Sequence, residues 1–382
     1  MKTAAVILAA GLAAVAAQAR VITVDNDGPA DFNNIQAAID DANDEDEVVV
    51  ADGVYAGEND WFSFRGKAIT VRSANGPAKC ILDGGRRNTR VVFSEFEGRD
   101  SVLEGFAIVK SVRAVVCGVS SPTIRGCIFT ENGLATVGSA VFIVSGSPRI
   151  EHCLFMGNTA VEYGGAIMWD YTSYARGEIV NCTFYGNRAY MGAAVTLGRQ
   201  GRVYMSNCIV WGNEPAGNSL YQPADSGPYK PRLIVTNCVL QSEWTKEGHG
   251  NVVADPCFAL PGYWDQNGTP DHAFDDFLVG GDCHLKSQAG RWDAGVGAWV
   301  YDDVTSVGID FGDPLAPVGL ESFPNGGRIN AGAYGGTAEA GRSWFGGPVC
   351  ETIMAGDING DCKVDFRDFW FVALNWLRQE GP

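Results

Sequence analysis

Apolar and polar positions alternate along this chain in short bursts that return at a nearly fixed interval. Arg113-Ala114-Val115-Val116-Cys117, Ser139-Ala140-Val141-Phe142-Ile143, Gly165-Ala166-Ile167-Met168-Trp169 and Ala193-Ala194-Val195-Thr196-Leu197 are copies of one frame. Alternate positions sort Val115 and Cys117, Val141 and Ile143, Ile167 and Trp169, and Val195 and Leu197 into one apolar column. The other column holds Val116, Phe142, Met168 and Thr196 and runs out into Gly118, Val144, Asp170 and Gly198. A period of two predicts strands, with the second column on the outer face.

A second frame interleaves with the first: Gly126-Cys127 to Asn132, His152-Cys153 to Asn158, Asn181-Cys182 to Asn187, Asn207-Cys208 to Asn213, and a decayed copy at Asn237-Cys238. The steps from Cys to Cys are 26, 29, 26 and 30 residues. In four copies an Asn stands five residues after the Cys, and between them Phe129, Phe155, Phe184 or Val210 shares the side of the Cys. The Asn is expected to mark a turn, because its short side chain tolerates left-handed backbone and bonds to neighbouring main chain. Each repeat thus carries at least two strands and cannot bury its apolar side alone, so the period predicts stacked coils.

With these copies on the page, the chain resembles the right-handed parallel β-helix of the pectin-lyase-like proteins. The Cys-Phe-Asn copies followed by Gly164-Gly165-Ala166-Ile167 are also similar to the repeats of polymorphic membrane protein adhesins. Residues 31–39 and 47–55 are similar to the helix and first strand that open such folds, and Ile35, Ala38 and Ile39 share one helical face suited to covering a solenoid end. The resemblance implies an all-β right-handed parallel β-helix solenoid over residues 20–347, with an N-terminal capping helix. It implies little about chemistry, since that architecture hosts lyases, hydrolases, esterases, epimerases, adhesins and inert scaffolds.

The start of the chain reads as an export signal: Lys2, an apolar run over residues 4–17, then Ala17-Gln18-Ala19, giving residues 1–19 as a signal peptide cleaved before Arg20. No later segment is long and apolar enough to predict membrane insertion after cleavage. A secreted or cell-surface location follows. The net charge of −17 argues against nucleic acid as a partner and sets a condition on any polyanionic glycan, which would need a local basic patch or bridging calcium. The five repeating cysteines are expected as a file of free, packed thiols, because parallel side chains do not offer the torsion a disulfide requires.

Residues 348–382 carry the sharpest ligand motif. Asp357, Asn359, Asp361, Asp365 and Asp368 fall at loop positions 1, 3, 5, 9 and 12, with the Lys363 carbonyl at 7, the spacing with which oxygen ligands surround calcium. The loop resembles half of a dockerin, which implies calcium as cofactor and a cohesin-like or other surface protein as partner. Two departures stand out: Cys362 replaces the usual Gly, and there is one loop rather than two. Phe366, Phe369, Trp370, Ala373, Trp376 and Leu377 follow helical spacing and form an apolar face that needs covering. A Cys350–Cys362 bridge is an open alternative.

Insertions that break the coil rhythm are the places to look for a site. The 170–177 loop holds Asp170, Tyr171, Tyr174 and Arg176, and the 213–232 insertion holds Tyr221, Tyr229, Lys230 and Arg232. Aromatics beside Asp and Arg suit sugars, so an extracellular polysaccharide is the expected partner. A lyase would draw on Asp170, Arg176, Glu178 and Arg199 as base, calcium ligand or cation, with Arg202 as a further basic member; an inverting glycosidase would pair Asp170 with Glu162. Two further segments invite a ligand reading. Residues 325–336 read as Gly-rich turns around a last strand rather than a phosphate cradle, and 265–271 as an Asx-rich loop rather than a second calcium site.

Overall fold

The computed structural model describes residues 19–57, 61–87, 89–133, 140–170, 176–198, 201–224, 230–269, 276–346, 355–358 and 363–375. Within them the chain winds into a parallel β-solenoid of three ladders. Sheet 1 has 10 strands between Val21–Val24 and Gly248–His249, sheet 2 has 9 between Gly53–Tyr55 and Val252–Val253, and sheet 3 has 7 between Phe62–Ser63 and Leu220–Tyr221. Each coil passes through sheets 1, 2 and 3 in turn, so every strand pairs with its counterpart one repeat away. Register follows the repeat: Ile128, Leu154, Thr183 and Ile209 align across sheet 2, and Val115, Val141, Ile167 and Val195 across sheet 3.

The apolar columns line one interior. Val115, Cys117, Val141, Ile143, Ile167, Trp169, Val195 and Leu197 are all buried there. Phe129 stacks on Phe155 at 4.7 Å between ring centres, and Phe155 on Phe184 at 4.9 Å, the coil spacing itself. The repeat cysteines sit beside them at the corner from sheet 1 to sheet 2. They are free and buried, and they lie in single file: the Cys182 amide faces Cys208 Sγ at 3.4 Å and the Cys208 amide faces Cys238 Sγ at 3.3 Å.

The Asn residues behave differently from the expectation. Left-handed backbone falls on the residue before each Cys, at Gly126, His152, Asn181, Asn207 and Asn237, and not on Asn132, Asn158, Asn187 or Asn213. Those four are buried and form a ladder. Each Nδ2 donates to the next Oδ1 at 2.9–3.0 Å and to the carbonyl of Ile108, Phe129 or Phe155, while Asn213 donates to that of Phe184. The corner from sheet 2 to sheet 3 turns inward there, so side-chain amides replace the strand bonds that the bent backbone loses.

The helix Ile35–Asp41 is capped by Asn34, whose Oδ1 accepts from the Ala37 amide at 3.1 Å, and buries Ile35, Ala38 and Ile39. It packs on Val21–Val24, Glu47–Val50 and Phe62–Ser63.

Coils were expected up to 347, but among the described residues no parallel coil strand follows Val253. Described residues of the 258–269 and 276–334 stretches lie instead over the outer face of sheet 2 and make a second apolar core: Leu154, Tyr185, Ile209 and Val239 meet Phe258, Cys283, Leu285, Ile309, Ala331 and Ala333. The left-handed Asn residues dock this wrap. Asn181 Nδ2 donates to the Asn330 carbonyl at 3.0 Å, and Asn207 Oδ1 accepts from the Asp313 amide at 2.7 Å. The last strand expected within 325–336 is absent; those residues are turns. Their glycines serve close approach, since a Cβ at Gly332 would lie 2.7 Å from Ile209 Cδ1 and 2.8 Å from Thr183 Oγ1.

Candidate functional site

Four of the sequence-derived positions in the sugar region, Tyr171, Tyr174, Arg199 and Tyr229, lie outside the described residues, as do Asn359 and Asp361 of the tail loop. The rest divide between two faces of the solenoid.

Sheet 3 presents Val116, Phe142, Met168, Thr196 and Tyr221 in one register column on its outer side. Contrary to a simple outer face, Met168 is 1% exposed and Thr196 0%. The preceding turns close over them: a Cβ at Gly192 would lie 1.9 Å from Thr196 Oγ1. The open part of the column is its rim. Tyr221 sits 5.9 Å from Tyr163, ring to ring, and burial together with Tyr163 pushes its hydroxyl pKa up. At the other end the Arg113 guanidinium lies 4.1 Å over the Phe142 ring. Burial lowers the Arg113 pKa, and Asp170, at the end of the Ile167–Trp169 strand, opposes that shift. Arg113 gave no signal in the sequence because it opens a repeat strand like any other. Glu162 is exposed and precedes along the chain the strand that Asp170 follows.

The corner from sheet 3 to sheet 1 carries Arg176 and Lys230, and Arg232 opens the sheet 1 strand that follows it. Arg176 is exposed, with its amide on Ser147 Oγ at 2.8 Å. Two coils further on, a cavity of about 340 Å³ opens between Gln222, Lys230, Arg232, Lys246 and Glu247. Arg232 bonds Glu247 at 3.0 Å, and Lys246 Nζ donates to the Gln222 carbonyl at 2.7 Å. Among the described residues the lining holds three cations and one carboxylate, on a chain of net charge −17. Tyr221 directly precedes Gln222 in sequence, and Lys230 and Arg232 line the cavity with Gln222.

Glu178 is drawn elsewhere. It lies in sheet 1, where its carboxylate bonds Arg99 at 3.2 Å and Arg149, which also holds Glu151 at 2.5 Å. Burial opposes the charge on Arg149, but Glu151 and Glu178 hold its pKa above the ordinary value. Glu178 is thus an ion-pair member on a different face from Asp170. Arg202 also lies in sheet 1, its Nη1 3.4 Å from Tyr204 Oη and its backbone paired with Arg232.

In the tail, Asp357 and Asp368 are each 4% exposed while Lys363 and Asp365 are exposed. Asp368 accepts from the Ile358 amide through Oδ1 and from the Asp365 amide through Oδ2, both at 2.7 Å, which joins the two ends of the loop ahead of the helix Phe366–Asn375. An all-oxygen donor set drawn inward at positions 1 and 12 fits a hard cation. Among the described residues no group of three or more His, Cys, Asp or Glu side chains is gathered for a metal. In the 265–269 stretch, Asp265 Oδ1 accepts from the Asn267 amide at 2.8 Å, the Asx turn expected of it.

Three parallel ladders around a thiol and aromatic interior define the class as a parallel β-solenoid protein. No family model matches the chain, and no curated protein matches it in sequence.

Proposed function

We propose that this chain is an exported right-handed β-helix protein, pectin-lyase-like in architecture, that binds an acidic extracellular polysaccharide along the corner from sheet 3 to sheet 1. The observation that carries the reading is the cleft of Lys230, Arg232 and Lys246 on an otherwise strongly acidic molecule. A polyanionic sugar chain approaching a molecule of net charge −17 needs such a local basic patch to bind. Tyr221 and Tyr163, paired on the sheet 3 rim, offer ring faces to the sugar, and Arg176 continues the cationic line along the corner. In this reading the 35–41 helix caps the solenoid, residues 1–19 direct export, and the tail is a calcium-binding, dockerin-like attachment to a cohesin-like or other surface protein. Within it Asp357, Asn359, Asp361 and Asp368 would hold the ion with the Lys363 carbonyl, and Asp365 through water. Calcium would stiffen the loop and neutralise its carboxylates.

A lyase is the second reading, favoured by the electrostatic attraction between Asp170 and Arg113 at the sheet 3 rim. Proton abstraction beside a uronate carboxylate needs a base and a stabilising cation together.

Binding to polygalacturonate, alginate and chondroitin sulfate, with and without EDTA, tests both. Retention without new unsaturated ends is the expected result, unsaturated ends would transfer the protein to the lyase class, and no retention on any polyanion would remove the proposal. Calcium titration of the wild type and Asp357→Ala tests the tail; equal heats would end the calcium assignment.

A further inference from the structure

Phe96 is held in solvent at a conformational cost. It is 81% exposed, and its φ of +65° makes it the one Phe, Tyr or Trp among the described residues in left-handed backbone, a region hostile to bulky side chains. Its neighbour Glu97 is buried and clamps the turn. Glu97 Oε1 accepts from the Gly66 amide at 3.1 Å, and Oε2 accepts from the Glu95 amide at 2.9 Å and from Ser120 Oγ at 2.5 Å. The buried carboxylate fixes the turn that holds the strained aromatic, and nothing in the packing of the core requires the ring, because it touches solvent rather than the interior.

The clamp belongs to a rail along the same corner. The Ser121 amide donates to the Glu97 carbonyl at 2.7 Å, the Ser147 amide to Ser121 Oγ at 2.9 Å, and the Arg176 amide to Ser147 Oγ at 2.8 Å. Three coil steps, roughly 14 Å, separate the Phe96 turn from Arg176, with the cationic cleft beyond. The intervening turns at 120–122 and 146–148 are short, so the line between the two is low. The flanking Glu95 carboxylate is within 4.0 Å of Arg65, which offsets its charge beside the ring.

We propose that Phe96 is a stacking platform for a sugar ring of the acidic polysaccharide, at the opposite end of the corner from the Lys230 cleft. The proposal rests on the polysaccharide reading and assigns that polymer's direction: carboxylates or sulfates on the cations, an apolar ring face on Phe96, the chain running along the solenoid axis.

The test is affinity electrophoresis through gels of polygalacturonate, alginate and chondroitin sulfate, using the full chain, Phe96→Gly, Phe96→Asn and Phe96→Trp. Phe96→Gly is expected to weaken binding about tenfold, as loss of one stacked ring does, and Phe96→Trp to retain it. The melting temperature of Phe96→Gly should not fall, since glycine takes this φ without strain; Phe96→Asn, which also tolerates it, serves if the glycine variant expresses poorly. Equal retardation of the wild type and both small-residue variants would overturn the proposal while leaving the polysaccharide reading intact. A wild type retarded by none of the three polymers would overturn both.

Discussion

The asparagine file shows how much one amide does in a coil. Asn187 accepts from the Asn158 amide at 3.0 Å and from Asn158 Nδ2, and donates to the Phe155 carbonyl and Asn213 Oδ1. Asn187→Ala leaves a buried N–H and a buried C=O without partners in a place water cannot reach. A loss of about 2 to 6 kcal/mol in urea unfolding is the expected outcome. The position of these residues was legible from their spacing; their role was not, because a turn residue and an inward amide look alike until the corner's curvature is known. The thiols were legible in both respects. Burial pushes the pKa values of Cys127, Cys153, Cys182 and Cys208 well above the ordinary range. Labelling of the native protein with a disulfide reagent, followed by peptide mapping, should find half-buried Cys257 modified and these four untouched.

At the level of the element, alternation assigned inside and outside correctly wherever a strand faces the interior. It misjudged the outer column of sheet 3, where turns of neighbouring sequence fold back over Met168 and Thr196. It also could not separate Asp170 from Glu178: Asp170 follows a strand of sheet 3 while Glu178, eight residues on, opens a strand of sheet 1, and only the turn between those sheets parts them. The tail helix keeps the apolar face its spacing announced, with Phe366, Phe369 and Trp370 exposed.

Across the whole molecule the wrap over sheet 2 is the feature with a pH signature. Burial raises Glu321 to about 8 and Asp310 to about 6. Glu321 is 7% exposed; its Oε1 accepts from the Asn330 and Gly336 amides at 2.7 and 2.8 Å, while Oε2 is buried without a partner. A carboxyl whose pKa rises on folding holds its proton more tightly in the folded chain. Its contribution is therefore complete at acidic pH and is lost as pH rises from the ordinary carboxylate range through about 8. His284 has the same sign: burial alone would lower it, but Asp282 at 2.5 Å and Glu339 at 3.3 Å hold it raised. Glu321→Gln keeps the acceptor for both amides and removes the titration. The variant should match the wild type near pH 5 and exceed it near pH 8.5 by a few kcal/mol, at about 1.4 kcal/mol per unit, in urea unfolding.

By itself the sequence determined the coil, its period, and the files of thiols, phenylalanines and asparagines, because each is repeated locally and parallel stacking brings equivalent positions together without further choice. The shared cavity of Lys230 and Arg232 came with it, as the two are neighbours in one insertion. Only the tertiary structure decided that the chain after Val253 turns back over sheet 2, that Glu321 and Asp310 meet in it, that Glu178 is held by Arg99 and Arg149, and that Phe96 is kept in solvent by a buried clamp. These arrangements join segments of unrelated sequence across long separations, where no period announces the contact and the deciding term is which apolar face remains to be covered once the coils have stacked.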